Sequence, residues 1–387
     1  MNYSRLSFFH GLASVMVAVA CVAATSFVAC TGSTTKVPSV VSYVGVNSDG
    51  RLFLDSLFGL VDSTERYWIN TEPAAAECML LTAQEDFNGD GQTDALVTNV
   101  QACGGNAVGN SFFFVTYVGD GQFALSNSFG SNVYDDPSIE TWEGMKSVVI
   151  TESSFDEWTE EYESHVERYV LVDTFALRAV TPESVSPMPT ISLDEWSKLE
   201  EMEDMGEEVE MSDEDSIKYL GCDIFDDLYS SHCSWYCGGE VLQVTASSCR
   251  QDADSTFDAG HAHDFSHEQV WAPEGKGIGE SLVYHFAGSC PRITTVKILN
   301  GDVVSDEAWQ ASARVKMIKM YINDKPYALL ALQDSRTLQC FNVGIVGFHD
   351  AEAPNWTLRF EILETYPGKK QDAPVISELY FDGIDVH

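Results

Sequence analysis

Four oxygen-bearing side chains in the stretch DFNGDGQTD, Asp86, Asn88, Asp90 and Asp94, fall at positions 1, 3, 5 and 9 of a loop. Gly91 stands at position 6, where a chain that wraps oxygens around one point needs a sharp turn. Calcium takes about six to eight hard oxygen ligands, and this spacing can supply several of them. Position 12 is Val97 instead of glutamate, so the loop is not an EF-hand. A second stretch, GKGIGES at 275–281, raises the question of phosphate binding. A dinucleotide site needs GxGxxG between a strand and a helix, but Gly279 comes one residue too early and ESLVYHF reads as a strand. A GxxxxGKS/T loop is absent as well, so these glycines are expected to serve backbone geometry. A third stretch, HAHDFSH, gathers His261, His263 and His267, whose imidazoles suit transition metals. Neither HExxH nor GxSxG occurs, and nothing marks a carboxylate pair for glycoside hydrolysis.

The charge balance narrows the partners. The chain of 387 residues carries 60 Asp and Glu against 21 Lys and Arg, a formal charge of -39. Such a surface repels polyphosphate, so nucleic acid is excluded as a partner. It has no basic patch for an anionic bilayer, but it suits divalent cations. A hydrophobic share of 44% and an aromatic share of 11% indicate folded domains with real cores.

The N-terminus reads as an export signal. One cation, Arg5, precedes the apolar run GLASVMVAVACVAATSFVAC, after which the chain turns polar. The ending FVAC resembles a bacterial lipobox, although Phe27 stands where leucine is usual. The resemblance implies a lipoprotein signal peptide over residues 1–30, lipidation of Cys30 and a tether over 31–39. The expected location is the bacterial cell envelope, with membrane contact only through the lipid, and simple secretion is the alternative. In an exported chain the eight remaining cysteines are expected to form disulfides. Cys78 and Cys103 stand alone in the first half and are expected to pair, whereas the pairing of Cys222, Cys233, Cys237, Cys249, Cys290 and Cys340 is not readable. Zinc is disfavoured because these spacings contain no two close CxxC pairs.

The elements that would position these groups are mainly β. NSFFFVTYV, KSVVIT and ERYVLV are β-branched and aromatic runs bounded by turn residues, within a β-rich domain over residues 40–180. Asp-Gly turns recur at NSDGR, NGDGQ and VGDGQ. Because strand-like segments flank the acidic loop, it resembles the calcium loops of FG-GAP and related β-repeats, and calcium is the one cofactor expected. TPESVSPMPT then opens an acidic, partly helical linker over 181–236. Ser192 and Glu195 form a capping box there, before Trp196, Leu199 and Met202. Strand patterns return afterwards. In WTLRFEIL, Trp356, Leu358, Phe360 and Ile362 share one face, which predicts a half-buried strand.

VTASSCR, AHDFSHEQVWAPEGKGIGESLVYHF, TTVKILNG, ARVKMIKMYINDKPYALLALQD and WTLRFEILETYPGKKQDAPVISELYFDG follow one another in an order that resembles the NADase-type glycan-binding domain. The resemblance spans about residues 237 to 387. It implies a discoidin-like, galactose-binding-like β-sandwich that recognises a glycan or another surface ligand through loops at one end. It does not imply NAD hydrolysis. The family segments place His263, Asp264, Trp271, Glu280 and Arg314 as candidate ligand-binding residues, with Trp271 as a stacking ring. Ser312 and Ala313 stand where the family has asparagine, and Gln371 to Val375 depart from its Asp-Asp-Thr, so contacts there differ. The expectation is an exported, lipid-anchored, non-enzymatic binding protein. The alternatives are a hydrolase whose sandwich is a targeting module, and a scaffold without ligand.

Overall fold

The computed structural model describes residues 79–99, 109–119, 122–156, 161–187, 235–253, 255–265 and 269–386. Cys30, Cys78, Cys103, Cys222, Cys233, His267, the expected signal peptide and tether, and the expected helices of the linker lie outside these residues. The chain divides between residues 177 and 178 into two compact units.

The first unit holds β1 (Met79–Glu85), β2 (Asp94–Asn99), β3 (Asn110–Gly119), β4 (Gln122–Leu125), β5 (Phe129–Val133), β6 (Ser138–Trp142), β7 (Met145–Asp156) and β8 (Glu161–Val172). Their pairings are antiparallel. The reading of β3 as a continuous apolar run matches its burial, for Phe112, Phe113, Phe114 and Val115 are all buried. Phe114 packs on Phe87 at 5.0 Å and on Phe129 at 5.2 Å between ring centroids. Glu143 and Gly144 both take positive φ between Trp142 and its partner Met145. That is the backbone of the two-residue hairpin turn whose twist suits flanking strands.

In the second unit two sheets face each other. One runs in the order β15 (Lys325–Ala331), β14 (Arg314–Ile322), β17 (Trp356–Tyr366), β12 (Ser281–Phe286) and β11 (Val241–Ala246). The other runs β10 (Ser184–Pro187), β16 (Thr337–Val346), β13 (Ile293–Asn300) and β18 (Ile376–Gly383). One helix, α1 (Asp306–Ala311), links β13 to β14; the Ser305 side chain caps it by accepting from the Ala308 amide at 3.1 Å. The shared core includes Tyr284, Phe286, Val296, Ile298, Ile318, Met320, Leu358, Phe360, Leu379 and Phe381. β17 alternates as the pattern requires, with Trp356, Leu358, Phe360 and Ile362 buried and Thr357, Arg359 and Glu361 partly exposed. Asn323 and Asp324 take φ of 48° and 62° between β14 and β15, because Asn and Asp tolerate the left-handed region that this hairpin demands.

The sandwich begins earlier in the chain than its motifs suggest. β9 (Phe175–Val180) ends within the second unit, where residues 178–180 pair in parallel with residues 328–330 of β15. β10 pairs antiparallel with β16, although its residues fall in the stretch expected as linker. Pro187 is tolerated because β10 is an edge strand, where a missing N–H breaks no ladder on its open side.

Candidate functional site

The acidic loop joins β1 to β2 in the first unit, and Phe87 anchors it in the core at 1% exposure. Asp86 accepts the Gly89 and Gly91 amides at 2.8 and 2.9 Å. Asn88 Oδ1 accepts the Asp90 amide at 3.0 Å, and Asp90 Oδ1 accepts that of Gln92 at 2.7 Å. Gly89 and Gly91 take φ of 75° and 82°, as the turn requires. Asp94 lies beneath the loop, fully buried, with Oδ2 accepting the Phe87 amide at 2.9 Å. Its Oδ1 is buried without a hydrogen-bond partner. Burial pushes the Asp94 carboxyl up, against the opposing pull of the Thr116 hydroxyl and the Phe87 and Asn88 amides. The four expected residues thus share one loop. Carboxylate oxygens that accept an amide keep a second lone pair for a cation. Among the described residues, however, no three His, Cys, Asp or Glu side chains already converge as a metal cage.

At one end of the sandwich the loop from β11 to β12 meets those from β13 to β14, β15 to β16 and β17 to β18. Here Gly275, Gly277 and Gly279 all take positive φ, 63°, 72° and 85°. A Cβ on Gly277 would stand 2.5 Å from Pro374 Cγ, so the loop packs where only glycine fits. The run is a turn leading into β12, as expected of it. Glu280 Oε2 accepts from the hydroxyls of Ser247 and Ser248, the latter at 2.7 Å. Ser248 also accepts the Glu274 amide and, through its carbonyl, the Trp271 indole N–H at 3.1 Å. The two serines therefore tie Glu280 and Trp271 together, a role the sequence did not signal.

Three of the candidate ligand-binding residues make contacts within the fold. Trp271 is 0% exposed and exchanges two backbone hydrogen bonds with Ile376, so its ring offers no face to a sugar. Arg314 is 6% exposed; its guanidinium donates to Asp334, to the Ser312 carbonyl and to the Pro367 carbonyl, and lies 4.5 Å from the Trp309 ring. His263 hydrogen-bonds the Leu379 carbonyl through Nδ1 at 2.9 Å and sits among Tyr236, Phe265, Tyr284 and Phe381. Burial holds its pKa below the ordinary histidine value. Asp264 is exposed and Glu280 partly so. Two cations not singled out in the sequence, Arg250 and Lys276, also make contacts across these loops. Arg250 lies over Phe257 at 3.9 Å and donates to Gln371 at 3.1 Å, and Lys276 faces Asp372 at 3.6 Å. Nothing in their sequence spacing predicts these contacts, which join residues more than ninety positions apart for Arg250 and Gln371. Asn300 at the end of β13 clamps the start of β14: it donates to the Val315 carbonyl at 2.7 Å and accepts the Val315 amide at 2.9 Å.

Two facing antiparallel sheets with long loops gathered at one end define a discoidin-like β-sandwich. Residues 235–382 match the family model of the NAD glycohydrolase translocation F5/8 type C domain. The match covers the sandwich from residue 235 on, without the added strands at 178–187, and none of the first unit. No curated protein matches the chain. Similar solved structures include CpGH89CBM32-5 from Clostridium perfringens, in complex with GalNAc-β-1,3-galactose, at 14% identity and a TM-score of 0.28 over 36% of this chain and 94% of that one. A chitosan-binding module derived from a chitosanase/glucanase of Paenibacillus sp. IK-5 has 14% identity and a TM-score of 0.24 over 38% of this chain and 97% of that one. A Paenibacillus xanthan lyase has 8% identity and a TM-score of 0.23, over 76% of this chain and 21% of the lyase.

Proposed function

We propose that the protein is a non-enzymatic receptor that binds glycan through the loops of its sandwich and is held at the cell envelope by a lipid on Cys30. The observation that carries this reading is the F5/8 type C match over residues 235–382. Sugars offer hydroxyls and apolar C–H faces rather than charge, and a chain of this acidity can engage them without long-range attraction. The geometry favours binding over catalysis. Tyr321 donates to Glu361 at 2.5 Å; its phenol is pushed up to about 12 by burial and by Glu361, and Arg359 lies 3.4 Å over the ring. A phenol so held is a poor proton donor near neutral pH.

The loop from Asp86 to Asp94 is the candidate calcium site, and the buried, unpartnered Asp94 Oδ1 supports that assignment. In this reading calcium stiffens the first unit and takes no part in sugar recognition. The test is a glycan array probed with the mature chain, with calcium present and after chelation. Specific sugar signals in both conditions support the reading. A blank array sinks it and leaves the scaffold. For the anchor, Cys30→Ala must release the protein from the membrane fraction.

A further inference from the structure

The two ends of the sandwich differ in what they expose. At the glycine end, Trp271 is buried and Trp309 lies under Arg314, so the exposed large apolar groups there are Ile278 and Val304, both aliphatic. At the opposite end the connection from β12 to β13, the connection from β16 to β17 and the segment after β18 come together. The Asp350 amide donates to the Gly288 carbonyl at 2.8 Å, and the Ile384 amide to the Arg292 carbonyl at 3.0 Å.

Phe348 stands at this end, 46% exposed. Among the described residues it is the exposed aromatic of the second unit. Its ring meets Trp356 edge-on at 6.3 Å, and Trp356 stacks on Phe286 in the core at 4.6 Å. The exposed ring is therefore the outermost member of an aromatic column rooted in the sandwich. A Cβ on Gly347 would lie 2.8 Å from Trp356 Cζ2, which pins the loop down, and His349 follows with a left-handed φ of 50°. The loop thus holds a half-exposed aromatic ring beside polar groups. Arg292 grips Asp385 at 2.6 and 3.0 Å. The Arg292 hydrogen bond, with His349 adding its charge, holds the Asp385 carboxyl below the usual range. The exposed ring and this donor–acceptor pair lie at the same end of the sandwich, where their loops are tied together by backbone hydrogen bonds.

We propose that this end of the sandwich is a sugar subsite, with Phe348 as the platform for the C–H face of a neutral pyranose and Arg292, Asp385 and His349 as partners for its hydroxyls. The assignment rests on the glycan reading above and names where that glycan sits. A neutral sugar fits better than a sialic or uronic acid because the Arg292 charge is already engaged by Asp385.

The mature chain is titrated with galactose, N-acetylgalactosamine, glucose, N-acetylglucosamine and N-acetylneuraminic acid, reading total tryptophan fluorescence, to which Trp356 beneath the platform contributes, and, in parallel, heat of binding. At least one neutral sugar is expected to bind. Phe348→Ala weakens it about tenfold, Phe348→Trp restores it, and Ile278→Ala at the other end leaves it unchanged. Because Phe348 is exposed, the Ala variant keeps its melting temperature, which separates lost binding from lost fold. Equal binding by wild type and Phe348→Ala, with weakening by Ile278→Ala, overturns the subsite while the glycan reading stands. Binding of the sialic acid alone overturns the subsite's chemistry. No binding of any of the five by the wild type overturns both.

Discussion

Arg314 holds Asp334 through two parallel hydrogen bonds of 2.9 Å each while its remaining nitrogen caps two loop carbonyls. A guanidinium so engaged welds three loops together and has one of its five N–H donors left for a ligand. Arg314→Lys keeps the charge but loses the fork. We expect it to lower stability by about 2 kcal/mol, below the usual cost of breaking a buried pair because the Asp334 side chain is 39% exposed. Chemical denaturation measures the loss. Unchanged stability with abolished sugar binding would return Arg314 to the ligand site.

Gly277 and Gly275 offer a matched comparison. Both take positive φ, but only Gly277 has Pro374 where a Cβ would go. Gly275→Ala is expected to cost about 1 kcal/mol from backbone strain alone. Gly277→Ala is expected to cost about 3 kcal/mol because the clash adds to the strain. Equal thermal shifts for the two variants would contradict the packing described.

Asp94 links pH to calcium. Its folded-state pKa is raised above 3.8 by burial, so between the unfolded and folded values the folded state holds more protons. The stability it contributes is present below the unfolded value and is lost as pH rises through the raised folded one. Without calcium, Asp94→Asn is therefore expected to melt higher than wild type at neutral pH and to flatten the pH dependence. Calcium at a hundred times its dissociation constant stabilises the wild type by about 2.7 kcal/mol and the variant far less. A variant that retains the full calcium response removes Asp94 from the site.

The strands at 178–187 predict where the sandwich can be cut. They cover the open edges of β15 and β16, and Val180 reaches the core. Starting the domain at residue 235 instead of 178 is expected to cost on the order of 3 kcal/mol, or about 6–12 °C. It should also promote self-association through the bared edges. A shorter fragment that stays monomeric with an unchanged melting point would show these strands to be dispensable.

Much of this protein was legible from local pattern. The alternation in residues 356–363, the Phe-rich run of β3 and the turn at Asn323 and Asp324 are set by side-chain period and backbone preference, which neighbours in sequence carry. The glycines of 275–279 were likewise readable as a turn, since a strand pattern follows them. What the sequence by itself determined was therefore a mainly β chain with a discoidin-like second half and an acidic hairpin loop. Only the tertiary structure decided which polar and aromatic groups remain available. Trp271 and Phe348 are both aromatic residues in loops, yet one is sealed by its pairing with Ile376 and the other stands in water above Trp356. Arg314 and Arg292 both face carboxylates, yet one is buried and the other lies at the surface. Exposure depends on which distant strands close over a residue, and that information is spread across contacts a hundred residues apart.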